Sequence, residues 1–333
     1  MSTYKEITGG KVQYLSSDPP APYIGQVWYN SSSGSLKYNS GTLVQAWSTQ
    51  PNMNTGRKEM GSSGVSSTSA LAFGGTTSPG PKVDNTESYN GSWTNQPALP
   101  SARNQVMGTG TATAALAAGG DPAQSTVSNY NGSSWTALTS LPTPKRRGAA
   151  TGTNTAALVF GGGPDPSPNQ ENKAYSYNGS SWTSQPNMVG FQRGNAGAGT
   201  GTAALSFGGY DQPGPGARVG RTQTFNGTWT EVASMNNARN YLGGCGTQTN
   251  ALAMAGETGP GSYKLTEGWD GTSWTNLPNM SENHGAGAQG EGANTSAAVC
   301  FGGGDAPNSP TGPRNKTESF ANNNLGVRIL SVS

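Results

Sequence analysis

Read for its hydrophobic and polar positions, the chain repeats one pattern. Short apolar runs, too brief for helices, end in paired small residues: Ala70-Leu71-Ala72-Phe73-Gly74-Gly75, Ala115-Leu116-Ala117-Ala118-Gly119-Gly120, Ala157-Leu158-Val159-Phe160-Gly161-Gly162, Ala204-Leu205-Ser206-Phe207-Gly208-Gly209, Leu252-Ala253-Met254-Ala255-Gly256 and Ala298-Val299-Cys300-Phe301-Gly302-Gly303. The last glycines fall at 75, 120, 162, 209, 256 and 303, giving spacings of 45, 42, 47, 47 and 47. Five units then place an aromatic, an Asn-Gly or Asp-Gly turn and a tryptophan, as in Tyr89-Asn90-Gly91-Ser92-Trp93 and Trp269-Asp270-Gly271-Thr272-Ser273-Trp274. Asn and Gly tolerate the positive φ of a tight hairpin, so the aromatic and tryptophan segments are predicted as antiparallel neighbours. A Gly/Ser/Thr-rich strand ahead of each apolar run completes a unit of four strands. Four short strands with a period in the forties predict an all-β propeller, each unit one blade.

The ends set the blade number. Trp47 stands 46 residues before Trp93 but has no glycine pair ahead of it, and the last unit has a glycine pair but no tryptophan after it. Matching the two, with the strand around Trp47 completing the last blade, gives six blades. Seven remain open if Gly326 to Val332 closes the sixth blade alone and the strands around Tyr38 and Trp47 build another. Residues 1–50 read as an N-terminal β-meander that docks and closes the ring, and 51–333 as the propeller.

Composition narrows the picture. With 51 Gly and 22 Pro the chain disfavours long helices, and its 8 Trp, 12 Tyr and 7 Phe argue against disorder. Net charge is 19 − 17 = +2 with no basic block, which disfavours nucleic acid as a partner. No apolar stretch approaches the roughly 18 residues of a membrane span, and the start shows no apolar leader core. Cys245 and Cys300 read as small buried residues rather than a disulfide framework.

Two residue series recur with the blades. Trp47, Trp93, Trp135, Trp182, Trp229 and Trp274 are expected to fill the wide outer wedge between blades. Arg57, Arg103, Arg147, Arg193 and Arg239 precede the inner strands and are expected to hydrogen-bond neighbouring blades or stack on aromatics; a guanidinium ring gripping anionic sugars is the functional alternative. Glu87, Glu267 and Glu318 share one repeat position, which indicates pairing with such an arginine. The single histidine, His284, is expected in an exposed loop. A Ser-His-Asp triad would rest on it alone, and a zinc site of several histidines cannot be built. No metal, cofactor or catalytic residue is assigned.

The loops after the glycine pairs differ most between units, and variable loops on a rigid scaffold are the usual place for binding. The candidate binding residues on that face are Tyr210, Asp211, Arg218, Arg221, Tyr263, Asp165 and Asp305.

In order, arginine, apolar strand with Gly-Gly, aromatic, turn, tryptophan and a closing Pro or Met (Leu99-Pro100, Leu141-Pro142, Met188, Met235, Met280) resemble the kelch repeat over roughly residues 52 to 325. The galactose oxidase members of that class imply a copper site with two histidines, which this chain cannot supply. The segment Gly25-Gln26-Val27-Trp28-Tyr29-Asn30, followed by Leu36-Lys37-Tyr38-Asn39-Ser40-Gly41, resembles the start of bacteriophage tail-fibre and virion-surface proteins. The two resemblances together imply a non-enzymatic structural protein of the virion, assembled in the host cytoplasm. It would be present in multiple copies, bound to other virion proteins through the N-terminal segment, with host-surface glycan as a further candidate partner and no membrane insertion. A glycan depolymerase using the acidic loop residues and a cellular kelch-type interaction module are the alternatives.

Overall fold

The computed structural model describes residues 12–19, 26–39, 43–77, 80–164, 172–211, 217–259, 264–304, 314–324 and 327–329. Among them all regular structure is β-strand, in two compact units: Met1–Gln45 with Asn322–Ser333, and Ala46–Ala321.

The larger unit is a six-bladed propeller. Blade 1 runs outward through Gly61–Ser66, Ser69–Phe73, Thr86–Tyr89 and Trp93–Gln96; blade 2 through Met107–Gly110, Ala115–Ala118, Val127–Tyr130 and Trp135–Leu138. Blade 3 takes Ala149–Gly152, Ala157–Phe160, Ala174–Tyr177 and Trp182–Gln185; blade 4 takes Ala196–Gly199, Ala204–Phe207, Thr222–Phe225 and Trp229–Val232. Blade 5 takes Gly243–Thr247, Asn250–Met254, Thr266–Trp269 and Trp274–Leu277, and blade 6 takes Ala286–Asn294, Ala297–Gly304, Thr317–Asn324 and Leu43–Gln50. The innermost strands abut in chain order, and that of blade 6 returns to that of blade 1. The strand carrying Trp47 therefore completes the sixth sheet. Val327–Ile329 pairs with Ser35–Asn39 instead, so neither part of the seven-blade alternative is present.

At the entry to each innermost strand, ahead of it in blades 1 to 5 and at its second residue in blade 6, one backbone amide donates to the carbonyl of the preceding blade, and the six bonds close on themselves. Gln105 N donates to Glu59 O (2.6 Å), Arg147 N to Gln105 O (3.3 Å), Gly194 N to Arg147 O (2.6 Å), Tyr241 N to Gly194 O (2.7 Å), Gly287 N to Tyr241 O (2.8 Å) and Glu59 N to Gly287 O (3.0 Å). All six residues are left-handed, with φ of 54°, 55°, 60°, 64°, 52° and 74° in blade order. Four are not glycine, so the ring holds against a local strain of about 1–2 kcal/mol per residue. The glycine pairs answer a second close approach: Gly75 N donates to Arg103 O of the next blade (2.9 Å), and a Cβ on Gly74 would lie 2.4 Å from that same oxygen.

The repeating arginine position differs from the sequence expectation in three blades. Arg57, Arg103 and Arg239 are fully buried at one equivalent place, but blades 3, 4 and 6 fill it with Lys145, Gln192 and His284, also fully buried. Arg147 and Arg193 lie one or two residues further on and belong to the axial ring or beside it. His284 is thus no exposed loop residue. Each buried group meets a matched partner on the third strand of its own blade. Arg57 pairs with Glu87 (2.8 Å), Arg239 with Glu267, and His284 Nε2 with Glu318 (3.1 Å). Arg103 donates to Ser128 Oγ (3.2 Å), Gln192 Oε1 accepts from Gln223 Nε2 (2.6 Å), and Lys145 Nζ lies 5.6 Å over the Tyr175 ring.

Burial pushes the Arg57 and Arg239 guanidiniums down, opposed by their glutamates, and lowers Arg103, which has no carboxylate, to about 10. Each glutamate also caps the turn after the closing residue. Glu87 accepts from Asn54 N (2.7 Å) and Thr55 N (3.3 Å), Glu267 from Asn236 N (2.8 Å), and Glu318 from Ser281 N (3.0 Å). Blades 2 and 3, which carry Ser128 and Tyr175 instead, have Pro100 and Pro142 at that turn and no such N–H to offer.

The tryptophans occupy the outer strands and reach to the preceding blade. Trp93 lies 4.9 Å from Phe301, Trp135 5.1 Å from Phe73, Trp229 5.0 Å from Phe160 and Trp274 5.1 Å from Phe207. Their indole N–H groups find a threonine there: Trp93 donates to Thr317 Oγ1 (2.9 Å), Trp135 to Thr86 Oγ1 (3.2 Å), Trp274 to Thr222 Oγ1 (3.0 Å) and Trp47 to Thr266 Oγ1 (3.0 Å). Blade 2 has Val127 at this place, and Trp182 turns to Thr139 O (2.9 Å). Blade 3 has Ala174, and buried Trp229 Nε1 is left without a partner.

The smaller unit pairs Gln13–Leu15 in parallel with Val27–Asn30, then Ser35–Asn39 and Val327–Ile329 antiparallel. Asp18 ties it together, accepting from Trp28 Nε1 (3.1 Å), Asn30 Nδ2 (2.7 Å) and Lys37 Nζ (2.8 Å). The bonds from Lys37, Asn30 and Trp28 hold its carboxyl down at about 2.

Two outcomes test this account. Arg57→Ala, which strands Glu87 in the interior, is expected to cost about 3–5 kcal/mol in urea unfolding, and Arg57→Met with Glu87→Leu clearly less; equal losses would mean the pair is not coupled. Ala174→Thr supplies the hydroxyl that Trp229 lacks and is expected to stabilise by roughly 1 kcal/mol. A lowered melting temperature would show that the third blade does not share the geometry of its neighbours.

Candidate functional site

The propeller axis offers two features. The first is a cavity of about 380 Å³ lined by the innermost strands of all six blades, chiefly glycine, alanine and threonine. Small residues are needed there because the strands converge: a Cβ on Gly108 would lie 2.1 Å from Ser62 O of the neighbouring blade. At one level of the wall the six blades present Ser63, Thr109, Thr151, Ala198, Cys245 and Glu291. The first three hydroxyls bond to the next blade: Ser63 to Thr111 O (2.9 Å), Thr109 to Gly152 O (2.8 Å) and Thr151 to Thr200 O (2.9 Å).

Glu291 takes this place at the seam between blades 6 and 1, where its stem packs on Gly64 and its carboxyl meets the Ser62 hydroxyl. Among the described residues no cation pairs with it. Burial pushes its carboxyl up to about 8, with the Ser62 bond opposing. Cys245 is held still higher, by burial first and by Glu291 second.

The second feature is the mouth of the axis on the glycine-pair face, a cavity of about 50 Å³ bounded by the hydrogen-bonded ring. Glu59, Gln105, Arg147 and Tyr241 project from ring positions, and Arg193, Tyr210, Arg218 and Asn240 stand beside them. Short bridges join this level to the loops after the glycine pairs: Asn104 with Asp121, Arg193 with Tyr210, Asn240 with Glu257. Tyr210 and Tyr241 meet edge to face at 6.2 Å. Arg147 lies 5.8 Å over Tyr241, and Arg193 and Arg218 each 5.6 Å over Tyr210. Burial raises the Tyr241 phenol to about 12, with Arg147 and Arg193 opposing and Glu59 adding to the rise.

Of the residues expected on this face, Tyr210 and Arg218 are brought together as partners in a two-residue ladder, Tyr210–Asp211 against Ala217–Arg218. Arg218 also binds Glu257 (3.1 Å) and Asn240 Oδ1 (3.0 Å). Asp211 and Arg221 stand apart from the mouth as a pair (3.0 Å), Arg221 reaching Phe191 O (3.2 Å) and Glu231 (3.6 Å) as well. The Asp211 bond holds the Arg221 guanidinium above its ordinary value. Asp165, Tyr263 and Asp305 lie outside the described residues. Tyr241, Glu59, Gln105, Asn240 and Glu291 were not anticipated; the signal for the first three is their place two residues beyond the buried plug.

No family model matches the chain, and no curated protein matches it at a significant level.

Glu291 has a measurable consequence. The folded protein favours its neutral form, so its contribution is full below the ordinary carboxylate value of 4.5 and is lost as pH rises through about 8. Ser62, Gln289 and Cys245 are the polar and titratable neighbours it faces. Thermal melts from pH 5 to 9 are expected to show stability falling by a few kcal/mol, with Glu291→Gln flattening that loss. A wild-type profile as flat as the variant's would place the charge in water.

Proposed function

We propose that this protein is a non-enzymatic structural component of a bacteriophage particle, a tail-fibre, tail-associated or decoration protein. Its propeller presents the glycine-pair face to a host surface or to another virion protein, and the smaller unit docks to the particle. The observation that carries the reading is how the charged groups divide. The repeated acids Glu87, Glu267 and Glu318 are enclosed in the blades on an arginine or histidine and on turn amides, whereas arginine and tyrosine side chains that differ from blade to blade collect at the axial mouth. A scaffold that encloses its repeated acids and displays irregular cations and aromatics is suited to holding a ligand rather than to turnover. The kelch-like order of the repeat and the tail-fibre-like segment around Trp28 supply the class, and several copies per particle would strengthen weak contacts.

Immunogold labelling of particles purified from a lysate is expected to decorate the virion, and the purified protein to leave host-surface polysaccharide at its original chain length. Unlabelled particles would remove the virion reading. Chain shortening that disappears in Asp211→Asn would replace binding with depolymerisation.

A further inference from the structure

On the other side of the ring, the larger axial cavity holds an acid that the fold does not balance. The cavity occupies about 380 Å³, within the ~300–1,000 Å³ usual for ligand pockets. It reaches the surface beside Val65, Thr200 and Thr247, all exposed, at the strand ends opposite the glycine pairs. Every innermost strand is an edge of its sheet, so its outer row of N–H and C=O groups turns toward the axis. Among the described residues of that wall, Glu291 is the one carboxylic acid; its residue is 9% exposed, and no cation pairs with it.

The sister blades show that packing at this level does not ask for an acid. Ser63, Thr109 and Thr151 spend their hydroxyls on the next blade, and Ala198 fills the same place with a methyl. At the seam between blades 6 and 1 the Ser62 hydroxyl stands between the Glu291 carboxyl and Gln289 Oε1 (3.1 Å). Its one proton can satisfy only one of them, so the seam has acceptors in excess.

We propose that the axial cavity binds a primary ammonium group carried on a slender aliphatic chain, with the nitrogen seated at the seam among Glu291, Ser62 and Gln289. An ammonium brings three N–H donors and a positive charge, which are the two things the seam lacks. Its chain runs along the axis between the converging strand edges toward the open end. A hard divalent ion would take about six or more oxygen ligands, whereas among the described residues no three His, Cys, Asp or Glu side chains gather. A neutral ligand would leave the carboxylate unbalanced. Burial holds the Glu291 carboxyl up at about 8 in the free protein, so the arriving ammonium displaces its proton to solvent. Cys245, the other titratable group facing it, is held protonated by burial. This site lies apart from the mouth and does not depend on the virion reading.

Calorimetric titration of the full chain, in sodium chloride at constant ionic strength, with diaminopentane, pentanediol and potassium chloride tests the assignment. Diaminopentane is expected to bind about tenfold or more tightly than its neutral isostere or potassium, and Glu291→Gln to weaken it by about tenfold or more. The variant is read beside its thermal melt; if it does not fold, Glu291→Thr replaces it with the residue that blades 2 and 3 carry at this level. The wild-type protein reads the same carboxyl without a substitution. Between pH 6 and 8 the amine stays charged, and its affinity is expected to rise about tenfold or more as the proton to be displaced is lost. No binding of diaminopentane, pentanediol or potassium bound as tightly, an affinity independent of pH, or undiminished binding by a folded Glu291 variant would overturn the proposal.

Discussion

Closure of the six-membered backbone ring is the constraint on which the rest of the propeller depends. At the axis each blade must hand the chain from an outer loop to its innermost strand where its two neighbours do the same. Their amides and carbonyls are then too close to be left to water. Turning one residue per blade left-handed points its N–H at the previous blade and its C=O at the next, so that six orphan pairs satisfy one another. The strain this imposes is tolerable because the ring is cooperative in geometry: no member can relax without breaking two bonds. A consequence for function is that the side chains at these positions are directed away from blade packing. Glu59, Gln105, Arg147, Gly194, Tyr241 and Gly287 share a backbone conformation and little else.

Behind the ring, a buried polar plug joins the entry to each blade to its third strand, and the plug shows how one geometry tolerates several chemistries. What is held constant is a donor that reaches the carbonyls near the glycine pair: Arg57 to Gly74 O (2.8 Å), Lys145 to Gly161 O (2.8 Å), Gln192 to Gly208 O (2.7 Å). What varies is the group that balances it. A carboxylate appears where the donor is arginine or histidine and the following turn offers amides. Where a proline removes the first amide, serine or tyrosine suffices, because a buried carboxylate with too few donors would cost more than it returns. The Gln192–Gln223 pair in blade 4 does the same work without charge, and the Gln223 side chain still takes the turn amide of Val189 (2.8 Å).

Much of this was legible in the sequence and part was not. The glycine pairs, the Asn-Gly turns and the tryptophans repeat as residue types because each answers a steric demand that only those types meet, so the blades could be read directly and their number narrowed to six, with seven left open by the two chain ends. The plug repeats as a position. Arg57 and Arg103 stand 74 − 57 = 17 and 119 − 103 = 16 residues before the first paired glycine, while Arg147 and Arg193 stand 161 − 147 = 14 and 208 − 193 = 15, and that offset separates buried plugs from mouth residues. Matching by residue type joined the two sets, and by the same token left His284 outside the series it belongs to. Glu291 was silent for a different reason. Its burial comes from the seam between the last and first blades, a contact between residues separated by most of the chain.

The division between repeated and unrepeated polar residues then bears on what the protein does. A side chain that recurs at one position in several blades is explained by packing and needs no ligand. Glu87, Glu267 and Glu318, the indole-binding threonines and Asp18 of the smaller unit each have a structural partner that accounts for their charge or hydroxyl. The mouth residues break the repeat, although the backbone beneath them keeps it. Stability alone would favour glycine or asparagine at six left-handed positions, and the chain instead places glutamate, glutamine, arginine and tyrosine at four of them. Accepting that strain in order to display large polar groups around one small opening has no counterpart in the packing of the blades, and that is why the binding role proposed above is placed at the mouth.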